Sequence, residues 1–373
     1  MPYAELSTVS HRVRLGAPLP FNVRDADRTL LLARGQQVES PEQLRALFER
    51  GALVDLTELR SPRDEIRQAP RAELPRLWTN CLDRVSQTLL EPRAEGYAAA
   101  LDEAASPVQA LIERDPDLAI FQVLRQGNGA DVTYAAQRSL QTAITGYLVA
   151  QRLAWDPEQC ERAFKVMLTM NVSMLALQGQ LARQAGQPTA AQRDELQSHP
   201  LRSVRMLEQA GITDEVWLHA VLCHHEQEDG QGYPRGISEP GELASLARRA
   251  DVYTSKLSAR SSRAAISADL AGRQMFMQDP GHPMTAALVK EFGIYPPGCF
   301  VRLASGATGI VVRRGATITT PHVACLTDER GAPLAAPREV DTGVRSHAVA
   351  GVVGEGMVNL RLSLDRLAAL VTA

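Results

Sequence analysis

The chain has very little lysine, few aromatics and no excess of charge. Lys165, Lys256 and Lys290 are the only lysines, and every other basic side chain is arginine. So uniform a bias points to overall composition rather than to a dedicated phosphate-binding patch. Forty Lys+Arg face 43 Asp+Glu, a net charge of −3, so no overall basic field points to nucleic acid. No apolar run reaches the ~18–20 residues of a membrane span, and no spanning segment is expected. Met1 to Arg14 mixes Glu, His and Arg without an apolar core, so no secretory signal is expected either. The five cysteines, Cys81, Cys160, Cys223, Cys299 and Cys325, are odd in number and form no CxxC pair. Reduced thiols in a cytoplasmic protein follow as the expectation. Ser305-Gly306-Ala307-Thr308-Gly309 lacks the Lys and the following helix of a phosphate-cradling loop, and reads as a hairpin turn. No Ser/His/Asp or Cys/His arrangement stands out, and Cys223 beside His224 has no activating context.

What is present is length and helical periodicity. With 373 residues and 40.6 kDa, two or three domains are expected. Residues 1–57 read as a small β-rich α/β unit. His11–Val23 and Thr29–Ala33 are strand-like, and a helix is predicted from Ser40-Pro41-Glu42-Gln43, with Ser as N-cap, Pro at the first position and Gln three residues after the cap. Residues 58–75 are charged and carry Pro62, Pro70 and Pro75, which predicts a linker. From 76 to 295 apolar residues recur at helical spacing, as in Leu77, Cys81, Val85 and Leu89. Breaks fall at Asp115-Pro116, Asp156-Pro157, Gly211 and Asp279-Pro280, where turn chemistry places them. This is the pattern of an all-α domain with its own core. After Pro296-Pro297-Gly298 short β-type runs follow (Phe300–Leu303, Gly309–Val312, His322–Leu326 and Val358–Leu362), so 296–373 reads as a small β unit. The predicted fold is mainly α, an all-helical central domain flanked by two small units.

One stretch carries chemical information: His224-His225-Glu226-Gln227-Glu228-Asp229-Gly230-Gln231-Gly232-Tyr233-Pro234. Two histidines and a Glu end a helix and lead into a Gly-rich loop. His199 precedes Pro200 upstream, and Asp251 follows downstream. Imidazole nitrogen and carboxylate oxygen suit borderline and hard divalent metals. Adjacent helix positions differ by about 100°, so His224 and His225 face two metals, or a metal and a substrate. A bare His pair is more often a helix cap and a surface residue, but the attached DGxGYP loop weighs against that reading. Met167, Met170 and Met174 recur at helical spacing, which more often marks core than a metal site.

The run resembles the HD-GYP family, bacterial phosphodiesterases that hydrolyse cyclic di-GMP. Its pattern HHExxDGxGYPxG is matched at every fixed position from His224 to Gly236, and the resemblance extends from about Tyr134 to Arg263. By position it implies metal roles for His199, His224, His225 and Asp251, and a GYP loop of Asp229, Gly230, Gly232, Tyr233 and Pro234. It also implies that Arg260 and Arg263 lie at the nucleotide site, with Tyr233 as a further contact. Besides Ser262, in place of the Tyr between the two arginines, and Thr254-Ser255, in place of Asp-Ala, four positions at the metal site depart from the pattern. The HD dyad falls on Met170-Asn171, and no His-Asp pair occurs anywhere in the chain. The Lys that follows falls on Met174, and an upstream His falls on Arg138.

Met is a poor ligand for Fe, Mn or Zn. Asn171 has the shape of Asp without its charge, and Arg138 is a permanent cation where a metal's charge would sit. Metal-assisted hydrolysis needs a metal to generate hydroxide near neutral pH and to polarise the phosphodiester. At most one Fe, Mn or Zn, bound substoichiometrically, is therefore expected, with hydrolysis weak or lost. The leading expectation is a degenerate HD-GYP protein that serves as a cyclic di-GMP receptor or protein-interaction module. The alternatives are an active phosphodiesterase with a reduced metal site, and a nucleotide-independent scaffold docking a partner such as a diguanylate cyclase through the GYP loop. If Arg138 replaces metal charge, it should lie within ion-pair reach of Asp251 or Glu226.

Overall fold

The protein is described from a computed structural model covering residues 3–56, 58, 59, 61–92, 96–125, 132–259, 261, 264–354, 357, 358 and 363–373. The chain divides into two compact units, Met1–Gln68 and Ala69–Ala373.

In the first unit, β1 (Tyr3–Glu5), β2 (Val23–Arg24), β3 (Leu30–Leu32) and β4 (Leu53–Asp55) form an antiparallel sheet in the order β1-β4-β2-β3. Helix α1 (Pro41–Glu49) packs with the sheet around Leu19, Phe21, Val23, Val38, Leu47 and Val54. Its start is as predicted: Ser40 Oγ accepts from the Gln43 amide at 3.2 Å. Two expectations are corrected. The strand expected over His11–Val23 contracts to Val23–Arg24, and Leu6–Arg12 is 3-10 helix. The expected linker contains α2 (Pro62–Gln68). Ser61 caps it by accepting from the Asp64 amide at 3.1 Å while donating to the Asp64 carboxylate at 2.7 Å. Proline at the first helical position starts this helix; read as a breaker, it hid it.

The second unit is mainly helical. Its helices are α3 (Leu74–Leu90), α4 (Tyr97–Arg114), α5 (Pro116–Leu124), α6 (Val132–Arg152), α7 (Pro157–Thr169), α8 (Leu175–Arg183), α9 (Ala190–Gln209), α10 (Glu215–Cys223), α11 (Glu242–Leu257), α12 (Ala268–Gln278) and α13 (Pro283–Phe292). The Asp-Pro breaks act as foreseen. Asp115 and Asp156 accept from the amides of Leu118 and Gln159 at 3.0 and 2.8 Å, so each Asp caps a helix whose first residue is Pro. Long helix α6 runs through the centre, packed by α7, α11 and α8. Gly146 lets Met167 of α7 approach closely, because a Cβ there would lie 1.9 Å from the sulfur.

A second antiparallel sheet follows, β5 (Phe300–Leu303), β6 (Thr308–Arg313), β7 (His322–Thr327), β8 (Pro333–Asp341) and β9 (Val349–Val353), in the order β8-β7-β6-β5-β9. This sheet shares the compact unit with the helices, so the boundary expected at 295/296 is a change of secondary structure within one body. The chain closes on α14 (Leu364–Thr372), packed against α3, α5 and β6. This helix lay unrecognised behind the Ser363 cap, whose Oγ accepts from the Arg366 amide at 3.3 Å. Most of the strand expected over Val358–Leu362 lies outside the described residues. Among the described residues no helix is long and apolar enough to cross a membrane.

Candidate metal centre and ligand cleft

His199 stands in the middle of α9, immediately before Pro200, which lies inside the helix. Proline has no N–H, so the carbonyl four residues earlier, Leu196 O, loses its helical donor. His199 Nδ1 donates to that carbonyl at 2.6 Å. His224 caps the C-terminus of α10, where the last carbonyls lack helical donors. Its Nδ1 donates to one of them, Val221 O, at 2.7 Å. A carbonyl can only accept, so both Nδ1 atoms carry the proton and both Nε2 atoms present lone pairs. Those two Nε2 atoms face each other at 3.1 Å with both residues fully buried.

His225 completes the cluster, and ligand atoms of the three residues lie within 4.8 Å of one another. Its ring stacks on Tyr233, with centroids 4.6 Å apart and an interplanar angle of 18°. Burial, then the neighbouring His224, pushes His199 down to about 3. Burial also lowers His224, and burial with the two other imidazoles holds His225 well below the ordinary range. All three are therefore neutral near pH 7, the state in which histidine binds metal. Lone pairs converging at 3.1 Å repel one another unless a cation lies between or beside them. The donor set thus fits one ion bound through nitrogen, at the ~2.0–2.1 Å typical of zinc–imidazole bonds.

The remaining candidates divide. Among the described residues the cluster contains no carboxylate. Asp251 Oδ1 instead accepts from Arg138 NH2 at 2.9 Å, which puts Arg138 within ion-pair reach of Asp251, one of its two expected partners. Glu226, the other, is 1% exposed and accepts from the amides of Arg235 and Ile237 at 2.6 and 3.1 Å. Its role is to hold the GYP loop. In that loop Asp229 accepts from the Gln231 amide at 2.9 Å, and Gly230 and Gly236 take φ of +74° and +66°. Gly232 sits against backbone, where a Cβ would come within 2.4 Å of Glu226 Cα. Tyr233 is joined to Pro234 by a cis bond.

Met170 is fully buried at the C-terminus of α7. Asn171 is 3% exposed, and its Oδ1 has no hydrogen-bond partner. A cleft of about 140 Å³ is lined by His199, His225, Tyr233, Arg138, Asp251 and Met174, with Tyr134 and Gln178 among its other walls. Arg260 and Arg263 lie outside the described residues.

Two residues, one lining the cleft and one holding Arg138 in its wall, escaped sequence reading. Tyr134 lies one helical turn before Arg138 on α6, so the i, i+4 spacing was the available signal. Ser258, whose Oγ accepts from Arg138 NH1 at 3.1 Å, had no signal at all. His219 is no ligand of the cluster: its Nε2 contacts Pro240 O at 3.1 Å, which ties α10 to the loop before α11.

Residues 130–269 match the HD domain family. Over 252 residues the chain is 27% identical to cyclic di-GMP phosphodiesterase PA4108 of Pseudomonas aeruginosa, covering 66% of this chain and 60% of that protein. The chain thus contains an HD domain and is similar to an HD-GYP-type phosphodiesterase across 66% of its length. Its fold is similar to that of Bd1817, a protein of the HD-GYP type from Bdellovibrio bacteriovorus, with a TM-score of 0.50 at 15% identity over 77% of this chain and 97% of the other. The HD-domain segment accounts for the helices that carry the histidines, the GYP loop and Asp251, while the first sheet and the C-terminal sheet fall outside residues 130–269.

Proposed function

We propose that the chain is a degenerate HD-GYP protein that binds cyclic di-GMP as a receptor, with hydrolysis weak or lost. The observation that carries this reading is the donor set, three neutral imidazoles without a carboxylate, with Met170 and Asn171 where the family pattern places its His-Asp dyad. Such a set fits one ion at most, held by His199, His224 and His225. A bound divalent ion would supply polarisation of a phosphodiester and a more acidic water. Without a bridging carboxylate, a second ion lacks the negative charge that would hold two cations side by side. The cleft itself offers recognition: Tyr233 and Arg138 line it beside the histidines. Arg260 and Arg263 supply phosphate forks on the family pattern.

Calorimetry with cyclic di-GMP, paired with a hydrolysis assay on metal-loaded protein, tests the proposal. Wild-type protein should bind with little or no turnover. Arg260→Ala should weaken binding by about 1.5–3 kcal/mol, the range for a charge-assisted hydrogen bond. Tyr233→Ala should matter less for nucleotide affinity, because one face of the ring is already stacked on His225. Turnover approaching that of an active phosphodiesterase would establish the enzyme. No binding at high micromolar nucleotide would remove the receptor and leave docking of a diguanylate cyclase or another signalling protein as the function.

A further inference from the structure

Arg138 is a buried cation in the wall of a cleft suited to holding another cation. It is 4% exposed, on the face of α6 turned toward α11. Its NH2 donates to Asp251 Oδ1 at 2.9 Å and its NH1 to Ser258 Oγ at 3.1 Å. Asp251 and Ser258 stand two helical turns apart, so the two arms of the guanidinium grip one side of α11. Ser258 is itself fixed, donating to Thr254 O at 2.9 Å. Arg138 and Asp251 line the same cleft as His199 and His225.

We propose that Arg138 is a built-in cation that withholds the Asp251 carboxylate from an ion in the cleft, leaving an all-imidazole site that accepts a single zinc-class ion and discriminates against manganese. This rests on the three-histidine cluster being a cation site. Two effects act together. The guanidinium places a fixed positive charge beside the incoming ion, and it engages the nearby carboxylate oxygen that would otherwise compensate. Manganese is the loser because carboxylate and water suit it, whereas imidazole suits zinc, and because nitrogen sites bind zinc more strongly than manganese in any case. Arg138 is held in place by the cost of leaving its buried guanidinium without a partner.

Zinc and manganese affinities and stoichiometries, measured by competition with a chromogenic chelator, test this on the full chain. Wild-type protein should bind one zinc ion. Arg138→Met should strengthen manganese binding at least tenfold and zinc binding by less, narrowing the selectivity. Arg138→Lys, which keeps the charge, should stay close to wild type. Zinc binding by wild type with manganese affinity unchanged in Arg138→Met would overturn this inference and leave the cation site standing. Failure of wild type to bind zinc would remove the site and the inference together. Should Arg138→Met not fold, a crystal structure of zinc-loaded wild type decides. Arg138 still within 3.5 Å of Asp251 supports the proposal, and Asp251 ligating the ion with Arg138 displaced sinks it.

Discussion

At the scale of single residues the site is governed by protonation. His199, His224 and His225 have folded pKa values depressed from 6.5, His199 to about 3. The sign follows directly: below pH 6.5 the unfolded chain takes up protons that the folded chain refuses. Their contribution is therefore fully present above pH 6.5 and lost as the pH falls toward the folded values. Each histidine that stays neutral contributes a slope of up to about 1.4 kcal/mol per pH unit. Glu228 acts in a lower window. Burial would raise Glu228, but hydrogen bonds from Arg249 and Ser245 hold it at about 2 against an ordinary 4.5. From pH 5 to 6.5 Glu228 stays ionised while the unfolded imidazoles take up protons. In chelator, the urea midpoint should fall between pH 7 and pH 5, and His199→Gln should flatten that fall. A midpoint independent of pH would mean that the imidazoles are solvated.

At the scale of elements, α9 trades helix stability for orientation of the His199 ring. Pro200 removes a hydrogen bond from the helix interior, at a cost of about 3 kcal/mol in an ordinary helix. The carbonyl it releases fixes the His199 tautomer. Pro200→Ala should then shift two measurements in opposite directions. The melting temperature should rise as the Leu196 carbonyl regains a helical donor. Zinc affinity should fall by about tenfold, the lower end of what loss of an orienting partner costs a metal ligand. A variant that gains stability with unchanged affinity would show that packing alone orients His199. The loop after α10 is built on the same logic, with Glu226 holding two amides and Gly232 admitting the backbone approach that a side chain would block.

At the scale of the molecule, the C-terminal sheet is fastened to the helices by charge. Glu291, 7% exposed at the end of α13, pairs with Arg152 of α6 and with Arg314, which follows β6 and also reaches Asp117 of α5. Arg125 Nε donates to Gly298 O at 2.7 Å, and its guanidinium lies 4.2 Å from the centre of the Phe300 ring. Glu291→Gln removes the charge that two arginines share. Arg314 keeps Asp117, and the Arg152 side chain is 38% exposed, so the loss should be about 2–3 kcal/mol, below the 3–5 of a fully buried pair. Chemical denaturation followed by near-UV circular dichroism would measure it. A loss under 0.5 kcal/mol would show that the Glu291 pairs do not hold the sheet.

The sequence by itself determined the local chemistry. Asp-Pro and Ser-Pro starts cap helices by bonds within four residues, and the run from His224 to Pro234 is contiguous, so its resemblance was legible without a fold. The resemblance also put Arg138 within expected reach of Asp251 or Glu226, without choosing between them. The linker reading failed at Pro62 because proline both starts helices and breaks extended structure, and a single sequence does not separate the two. Tertiary structure alone decided the rest. Arg138 and Asp251 are 113 positions apart and meet only because α6 packs on α11. The facing Nε2 atoms of His199 and His224 depend on α9 crossing α10. Pairing, burial and the engagement of Asp251 by Arg138 beside the three histidines are consequences of that packing, which no local pattern encodes.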